Sequence, residues 1–432
     1  MMFIDVILEL QYVPLFLMET AKFILTVSYI ISIAVLTAYA VWYVSSFIVF
    51  YRIGSLKPKI NPKYWPRVGI VIPVYNDYEV LSSLKAILNL NYPKYVAVVV
   101  DDSTDPWLVV EISNIAFRSN GKIVHLRRHS RRGLKAGALN DAIKVLEKYG
   151  VEYVLFLDAD FEPEPDMLKK LISLALSYNA DVVQGYQRHF KGSNTVFGIL
   201  YRASLGGAII NIVGRQYLEL FSFFTGSCAL IKYSLLRETL FAENSLSEDL
   251  RWTIDTMLKK AKLKVIATHE AYANGSVPRS QKAFIRQQIR WSSGTLREFL
   301  NTFSKVLLNR EISWSHKIGY VHQGLFFTQG LWIYINLLAP VILSLIWGFE
   351  IGPLWPLGVY VWLIGFETIV ISGSLLEKYG RLESLIVALL IIPMVYYVAA
   401  IHIYGTLKTL ITRKAEWTVT SKRGVYEAMY SD

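Results

Sequence analysis

The stretch YVLFLDADFEPEPD (153–166) sets an apolar run, Tyr153 to Leu157, directly before two carboxylates one residue apart, Asp158 and Asp160. A short apolar run bounded by turn residues reads as a buried strand. In an extended segment, residues two apart point the same way. Asp158 and Asp160 therefore share one side, and Ala159 turns away. Crowded carboxylates raise one another's pKa unless a cation joins them. Hard oxygen donors select Mg2+ or Mn2+, and Mg2+ is typically held by one or two carboxylates plus substrate phosphates. The pair is a candidate metal site of that kind. Turn and cap chemistry alone is the competing account of acids at a strand end.

Outward from this strand the pattern repeats. RVGIVIPVYN (67–76), YVAVVVDDSTD (95–105) and KIVHLRR (122–128) read as strands, while VLSSLKAILNL (80–90) and KAGALNDAIKVLEKY (135–149) read as helices. Such alternation with near-continuous apolar strands predicts a parallel sheet covered on both faces. Ligands of open sheets sit beyond the carboxyl ends of the strands. Three of those ends carry polar groups: Tyr75, Asn76 and Asp77; Asp101 and Asp102; Asp158 and Asp160. They are expected to meet in one crevice.

Other segments supply complements. RRHSRRGLKAGALN (127–140) brings five Arg or Lys residues and two glycines to the front of a helix. Helix N-termini and backbone N–H groups bind phosphate, and Lys135 is the expected diphosphate contact. FFTGSCALIK (223–232) has a small Gly226-Ser227 turn able to lie against a flat substrate. LSEDLRW (246–252) places Glu248 and Asp249 at a helix start behind a Ser247 cap. FIRQQIRWSSG (284–294) gathers Gln287, Arg290 and Trp291 within one helical turn, an aromatic platform beside a guanidinium fork. The same helix, with Phe284, Ile285, Phe299, Phe303 and Leu307 among basic residues, also suits a membrane surface.

The chain has 432 residues, a formal net charge of +11 and one cysteine, Cys228. That excludes a disulfide framework and a Cys-based zinc site. Its basic residues surround acids and membrane edges and form no single stripe, which argues against nucleic acid. Residues 23–50 carry no charge across 28 positions, and a spanning helix needs only ~20. Arg52, Lys57, Lys59, Lys63 and Arg67 follow, so the domain after this anchor is expected in the cytoplasm. Residues 3–18 are expected at the interface. Further spans are expected at 325–347, 354–376 and 383–407. Three spans after a cytoplasmic domain put the tail outside, yet the tail is basic. Either 316–347 holds an extra re-entrant or second pass or the tail is external.

The ordered set Asp101-Asp102, Asp158-x-Asp160, Glu248-Asp249 and Gln287-x-x-Arg290-Trp291 resembles the D, DxD, ED, QxxRW signature of membrane-embedded family 2 glycosyltransferases. LKAGAL (134–139), DADFEP (158–163) and RWSSG (290–294) resemble most closely the cellulose-synthase-like glucomannan synthases. The resemblance implies a GT-A type doubly wound mixed α/β sheet in a cytoplasmic domain attached to transmembrane helices. It divides the chain into an anchor (1–66), the transferase domain (67–278), interfacial helices with QxxRW (279–315), C-terminal transmembrane helices (316–410) and a basic tail (411–432). It implies an integral protein of the cell membrane that moves a hexose from a UDP- or GDP-sugar, with inversion, to a growing β-linked polysaccharide. The alternatives are single-sugar transfer to a membrane lipid and a non-enzymatic nucleotide-binding membrane protein. Tyr75, Asp77, Asp101, Asp102, Lys135, Asp158 and Arg290 would bind the donor, and Asp158 and Asp160 a Mg2+ or Mn2+ ion. Asp249, beside Glu248, would be the general base. Gly226, Ser227, Gln287 and Trp291 would meet the acceptor. EWTVTSKRG (416–424) resembles a gating segment over the donor site. Val277-Pro278-Arg279-Ser280 and Thr225 depart from common forms of the family and leave the acceptor open. Trp332, Tyr334, Tyr360, Trp362, Tyr396 and Tyr397 are candidates to line a sugar path or to sit in an aromatic belt.

Overall fold

The structure, a computed structural model, describes residues 15–412 apart from 60, 61, 63 and 193. The tail segment 416–424 and most of 3–18 lie outside the described residues. Helix α1, Leu15–Ile53, comes first. An alternating unit follows: β1 Val68–Val74, α2 Val80–Leu88, β2 Tyr95–Asp101, α3 Pro106–Arg118, β3 Ile123–Arg127, α4 Leu134–Leu146, β4 Tyr153–Phe156. Then come β5 Glu162–Pro163, α5 Met167–Tyr178, β6 Val182–Lys191, α6 Val196–Tyr217, β7 Ala229–Lys232, α7 Tyr233–Glu238, α8 Glu248–Lys259 and β8 Val265–Ser276. The chain closes with α9 Gln281–Leu308, α10 Trp314–Gly324, α11 Gln329–Trp347, α12 Leu357–Leu376 and α13 Arg381–Thr412.

The strands form one mixed sheet in the order β3-β2-β1-β4-β7-β6-β8-β5. Strand β1 runs parallel to both β2 and β4, with Val71 opposite Val98 on one side and Phe156 on the other. Strand β7 is antiparallel to β4 and β6. Both faces are covered, which is why β1, β2 and β4 are apolar at nearly every position. Ile70, Ile72, Ala97 and Val99 pack into one core with α2, α3 and α5. Val71, Val96 and Val98 pack into a second with α4 and α8. The parallel register brings the carboxyl ends of β1, β2 and β4 to one edge, as the acids at those ends predicted.

Among the described residues, five helices are long and apolar enough to cross a membrane: Leu15–Ile53, Val196–Tyr217, Phe326–Trp347, Leu357–Leu376 and Arg381–Thr412. Four match the expected spans. The fifth, α6, lies within the segment 67–278 read as the transferase domain, where no span was expected. It lies between the sheet, which it meets at β6 and β8, and helices α1 and α12. Its glycines allow this. A Cβ on Gly373 of α12 would stand 2.3 Å from Ala203 O and Gly207 N of α6, so the two backbones touch. Leu36, Tyr43, Leu200, Ile210, Ile333 and Trp362 share one further core, drawn from α1, α6, α11 and α12. The extra pass considered within 316–347 is corrected too. That stretch holds the 11-residue α10, a short 3-10 turn and the 19-residue α11, which is a single span-length helix. Helix α9 packs against α8, α10 and α13.

Candidate active site

Val74 at the end of β1, Tyr75 and Asp77 after it, Asp102 after β2, and Asp158 and Asp160 after β4 line one cavity of about 420 Å³. Asn76 draws two of these ends together. It takes a left-handed φ of 48° and accepts from Thr104 N through its side-chain oxygen at 2.9 Å. The opposite wall is Gly226, Glu248, Asp249, Gln287, Arg290 and Trp291. The structure thus brings together most of the residues singled out by sequence.

Two of them stand one layer back. Asp101 is fully buried and does not line the cavity. It accepts from Ser103 N at 2.7 Å and lies 3.0 Å from His125 Nε2. Burial alone would raise its pKa, but those hydrogen bonds and nearby Arg127 bring it below the ordinary carboxylate range. The strand alternation explains this: Asp101 is still in β2, and the chain opens to the cavity only at Asp102. Burial pushes Asp102 up, against the pull of Arg128, 3.1 Å away, and Arg131. Ser227 is also fully buried, and its Oγ accepts from Asp158 N at 2.9 Å. It shapes the end of β4 and does not face the cavity.

Lys135, in the first turn of α4, is the hub. Its Nζ lies 2.7 Å from Asp158 Oδ1, 3.3 Å from Glu248 Oε1 and 3.0 Å from Gly226 O. Burial works against its charge, yet Asp158, Glu248 and Asp249 hold its pKa above the usual lysine value. Asp249 shows the converse. Burial, then Glu248, raises it to about 7, while Lys135, the Leu250 N–H and Arg290 pull it down. Glu248 and Asp249 occupy the first turn of α8 as expected, but the Ser247 side chain makes no capping hydrogen bond. Its Oγ is turned to α9, where a Cβ on Gly294 would lie 2.3 Å from it.

The loop carrying Gly226 is held by residues the sequence reading passed over. Gln187 Nε2 donates to Thr225 O at 2.9 Å, Thr225 Oγ1 at 2.8 Å and Ser227 O at 3.0 Å. Gln184 Oε1 accepts from Thr225 N at 3.0 Å, and its Nε2 donates to Ser227 O at 2.8 Å. Gly226 has φ +87°, and a Cβ there would meet Asp249 Oδ2 at 2.9 Å. Arg131 was also missed as an individual; its guanidinium covers the Tyr75 ring at 3.4 Å. A polar Gln inside an apolar strand, as in DVVQGYQ (181–187), was the available signal. None of the six intramembrane aromatics lines this cavity. Buried Trp362 instead donates to Gln329 Oε1 at 2.7 Å.

Among the described residues, no group of three or more His, Cys, Asp or Glu converges as a metal site. Asp158 and Asp160 contribute hard oxygens to one wall, and Asp160 Oδ2 is steadied by Ser276 N at 3.1 Å. Two carboxylates fit an ion that completes its shell with phosphate oxygens, as Mg2+ does.

Residues 69–240 match the family described as Glycosyl transferase family 2. The chain is 29% identical over 276 residues to glucomannan 4-beta-mannosyltransferase 1 of Oryza sativa subsp. japonica, across 61% of this chain and 52% of that protein. It is 26% identical over 393 residues to glucomannan 4-beta-mannosyltransferase 2 of Arabidopsis thaliana, across 85% of this chain and 69% of that one. The chain therefore spans only about half the length of the rice relative (52%). In fold it is similar to the mannosyltransferase PcManGT from Pyrobaculum calidifontis, solved in complex with GDP-Man and Mn2+. The TM-score is 0.59 at 17% identity, covering 89% of this chain and 100% of that one.

Proposed function

We propose, from the match of residues 69–240 to glycosyl transferase family 2, that the chain transfers a hexose from a UDP- or GDP-sugar, with inversion, to a growing glycan at a membrane. The observation that carries this reading is the shared cavity. Asp102, Asp158, Asp160, Asp249, Arg290 and Trp291 come from distant parts of the chain and line one space.

Tyr75, Asp77 and Asp102 hold the nucleoside end of the donor, with Asp101 stiffening the turn from behind. Lys135 and Arg290 meet the diphosphate. A Mg2+ or Mn2+ ion held by Asp158 and Asp160 would neutralise charge on the departing diphosphate. Asp249 takes the proton of the acceptor hydroxyl as that oxygen bonds to C1. The bond from C1 to the diphosphate oxygen breaks on the far side, and its electron pair leaves with the nucleoside diphosphate. Attack from the opposite face inverts the anomeric centre. A base with a pKa near the working pH suits this task, and Asp249 at about 7 meets that requirement. Trp291 and Gln287 seat the acceptor sugar. The relatives named for glucomannan mannosyl transfer support mannose or glucose as the hexose and a β-linked polysaccharide as the product.

In this reading the sheet unit lies in the cytoplasm of a cell-membrane protein, and the basic run after α1, Arg52 to Arg67, supports that side. The test is a panel of radiolabelled nucleotide sugars given to the purified full chain, with Mg2+ or Mn2+ present and then removed by chelation. Label is expected in a glycan product from one UDP- or GDP-hexose, and chelation should abolish it. Neither transfer nor donor hydrolysis with any sugar would defeat the reading.

A further inference from the structure

Three of the apolar helices run between the sheet and a far side. Helix α1 ends at the sheet, where Ser55 Oγ, just past it, accepts from His269 N of β8 at 3.4 Å. Helix α12 also ends there: Glu377 accepts from Arg188 Nε at 3.0 Å and from Tyr186 Oη at 2.6 Å, both on β6. Helix α11 starts there, shortly after Phe327 of the substrate cavity. Their other ends meet away from the sheet. Tyr29 Oη donates to Trp355 O at 2.7 Å, and Asn336 joins Ser32 Oγ at 2.9 Å to Val359 N at 3.2 Å.

Helix α13, which holds the span expected at 383–407, breaks this pattern. It has 32 residues, about 48 Å at 1.5 Å per residue, which is ample for a hydrocarbon core of about 30 Å. It starts at Arg381, just after Glu377 and so on the sheet side. A crossing would carry its last turns to the level of Tyr29 and Trp355. Instead they lie along α9, which opens shortly after β8 and lines the substrate cavity with Gln287, Arg290 and Trp291. Tyr397 Oη accepts from Gln281 Nε2 at 2.9 Å, and His402 Nε2 lies 2.9 Å from Gln288 Oε1. Ser293 Oγ donates to Gly405 O at 3.2 Å, and Thr409 Oγ1 donates to Ser293 O at 3.4 Å. The two helices therefore run side by side in the same direction. The middle of α13 stays near the sheet as well: a Cβ on Gly330, in the first turn of α11, would lie 2.5 Å from Ala399 O.

The two faces of α13 differ. Val387, Ile391 and Val395 enter a core with Leu200 of α6 and Ile333 of α11. Leu382, Leu385 and Leu389 in its first half, and Tyr404, Leu407 and Ile411 in its second, are exposed at spacings of three and four residues. Such spacing makes one helix face, and an apolar stripe of this length is not left to water. We infer that α13 does not cross the bilayer but lies along its sheet-side leaflet, its inner face on the spans and its outer face in acyl chains. The chain then leaves α13 at Thr412 on the side that holds Arg52 and Lys57, so a basic tail needs no extra pass. The inference rests on α1, α11 and α12 crossing a membrane and not on the chemistry proposed for the cavity.

The test uses the full chain in inverted membrane vesicles from expressing cells, a membrane-impermeant maleimide, and buried Cys228 as the unlabelled background. Three variants report sides. Lys85→Cys is exposed on α2, Gly352→Cys lies between α11 and α12 where a Cβ meets nothing, and Thr412→Cys ends α13. Before the vesicles are permeabilised, Thr412→Cys should label as Lys85→Cys does and opposite to Gly352→Cys. Labelling of Thr412→Cys that follows Gly352→Cys overturns the inference. Equal labelling of Lys85→Cys and Gly352→Cys removes the three crossings and this inference with them, and leaves sugar transfer to its own assay. Depth is the second readout. A fluorophore on Leu389→Cys in liposomes should be quenched more by a lipid nitroxide near the headgroup than by one at the end of the acyl chain. The reverse order overturns the placement along the leaflet.

Discussion

As the proposed general base, Asp249 would act only if it is ionised when the acceptor hydroxyl arrives. Burial first, then Glu248, raises it to about 7, so the active, deprotonated form gains population as pH rises through neutrality. The expected profile of kcat/KM climbs through about pH 7 and falls below it. Asp249→Asn should remove that limb and lower transfer by about 10²- to 10⁴-fold while donor still binds. A flat profile in the unmodified enzyme, or near-normal turnover in the variant, would count against the base assignment. Gln187 acts at one remove, since it anchors Thr225 and Ser227 on either side of Gly226. Gln187→Leu leaves Thr225 O without this donor, while Ser227 O keeps Gln184 Nε2, at a cost of about 1–3 kcal/mol in local order. We expect KM for acceptor to rise more than KM for donor. An equal rise in both would place Gln187 in general packing. Asp249 was legible only through its place in the ordered Glu248-Asp249 motif of the resemblance, since acids in a first helical turn are common by themselves. Gln187 was not, because nothing local says what a strand glutamine will face.

Helix α6 joins the sheet to the apolar helices, and one carboxylate fastens the joint. Glu377, at the end of α12, accepts from Arg202 of α6, from Arg188 Nε at 3.0 Å and from Tyr186 Oη at 2.6 Å on β6. Removing one partner of a buried pair costs about 3–5 kcal/mol. Glu377→Gln should therefore lower the thermal midpoint of the detergent-solubilised protein markedly. An unchanged midpoint would show that α12 is held by packing alone. Gly373→Val tests the packing half, because its Cβ would collide with the α6 backbone at 2.3 Å. Overpacking of this kind costs about 1–3 kcal/mol, again read as a lower midpoint. Sequence patterning did not single out α6 as a span-length helix. Arg202 and Arg215 interrupt VFGILYRASLGGAIINIVGRQY (196–217), so its composition reads as an ordinary domain helix. Its place follows from glycine faces meeting on two different helices, which no local window contains.

The same joint sets the limits of the folding unit. Because α6 buries Leu200, Ala203 and Ile210 in a core shared with α1 and α12, residues 67–278 cut free would expose that face. We propose that the boundary drawn at 67–278 marks a sequence unit and not a folding one. The excised segment should aggregate without detergent in size-exclusion chromatography, and a monodisperse soluble peak would refute this. The amino-acid sequence by itself determined the alternating strands and helices, four of the five span-length helices, and the acids at three strand ends. These are local patterns of hydrophobic period and charge, carried within windows of a few residues. Only the tertiary structure decided that Asp101 and Ser227 support from behind while Asp102 and Gly226 face the cavity. It alone put α6 between sheet and helices. Each of those depends on which surfaces exclude water from one another across distant parts of the chain, and burial of that kind is a property of packing.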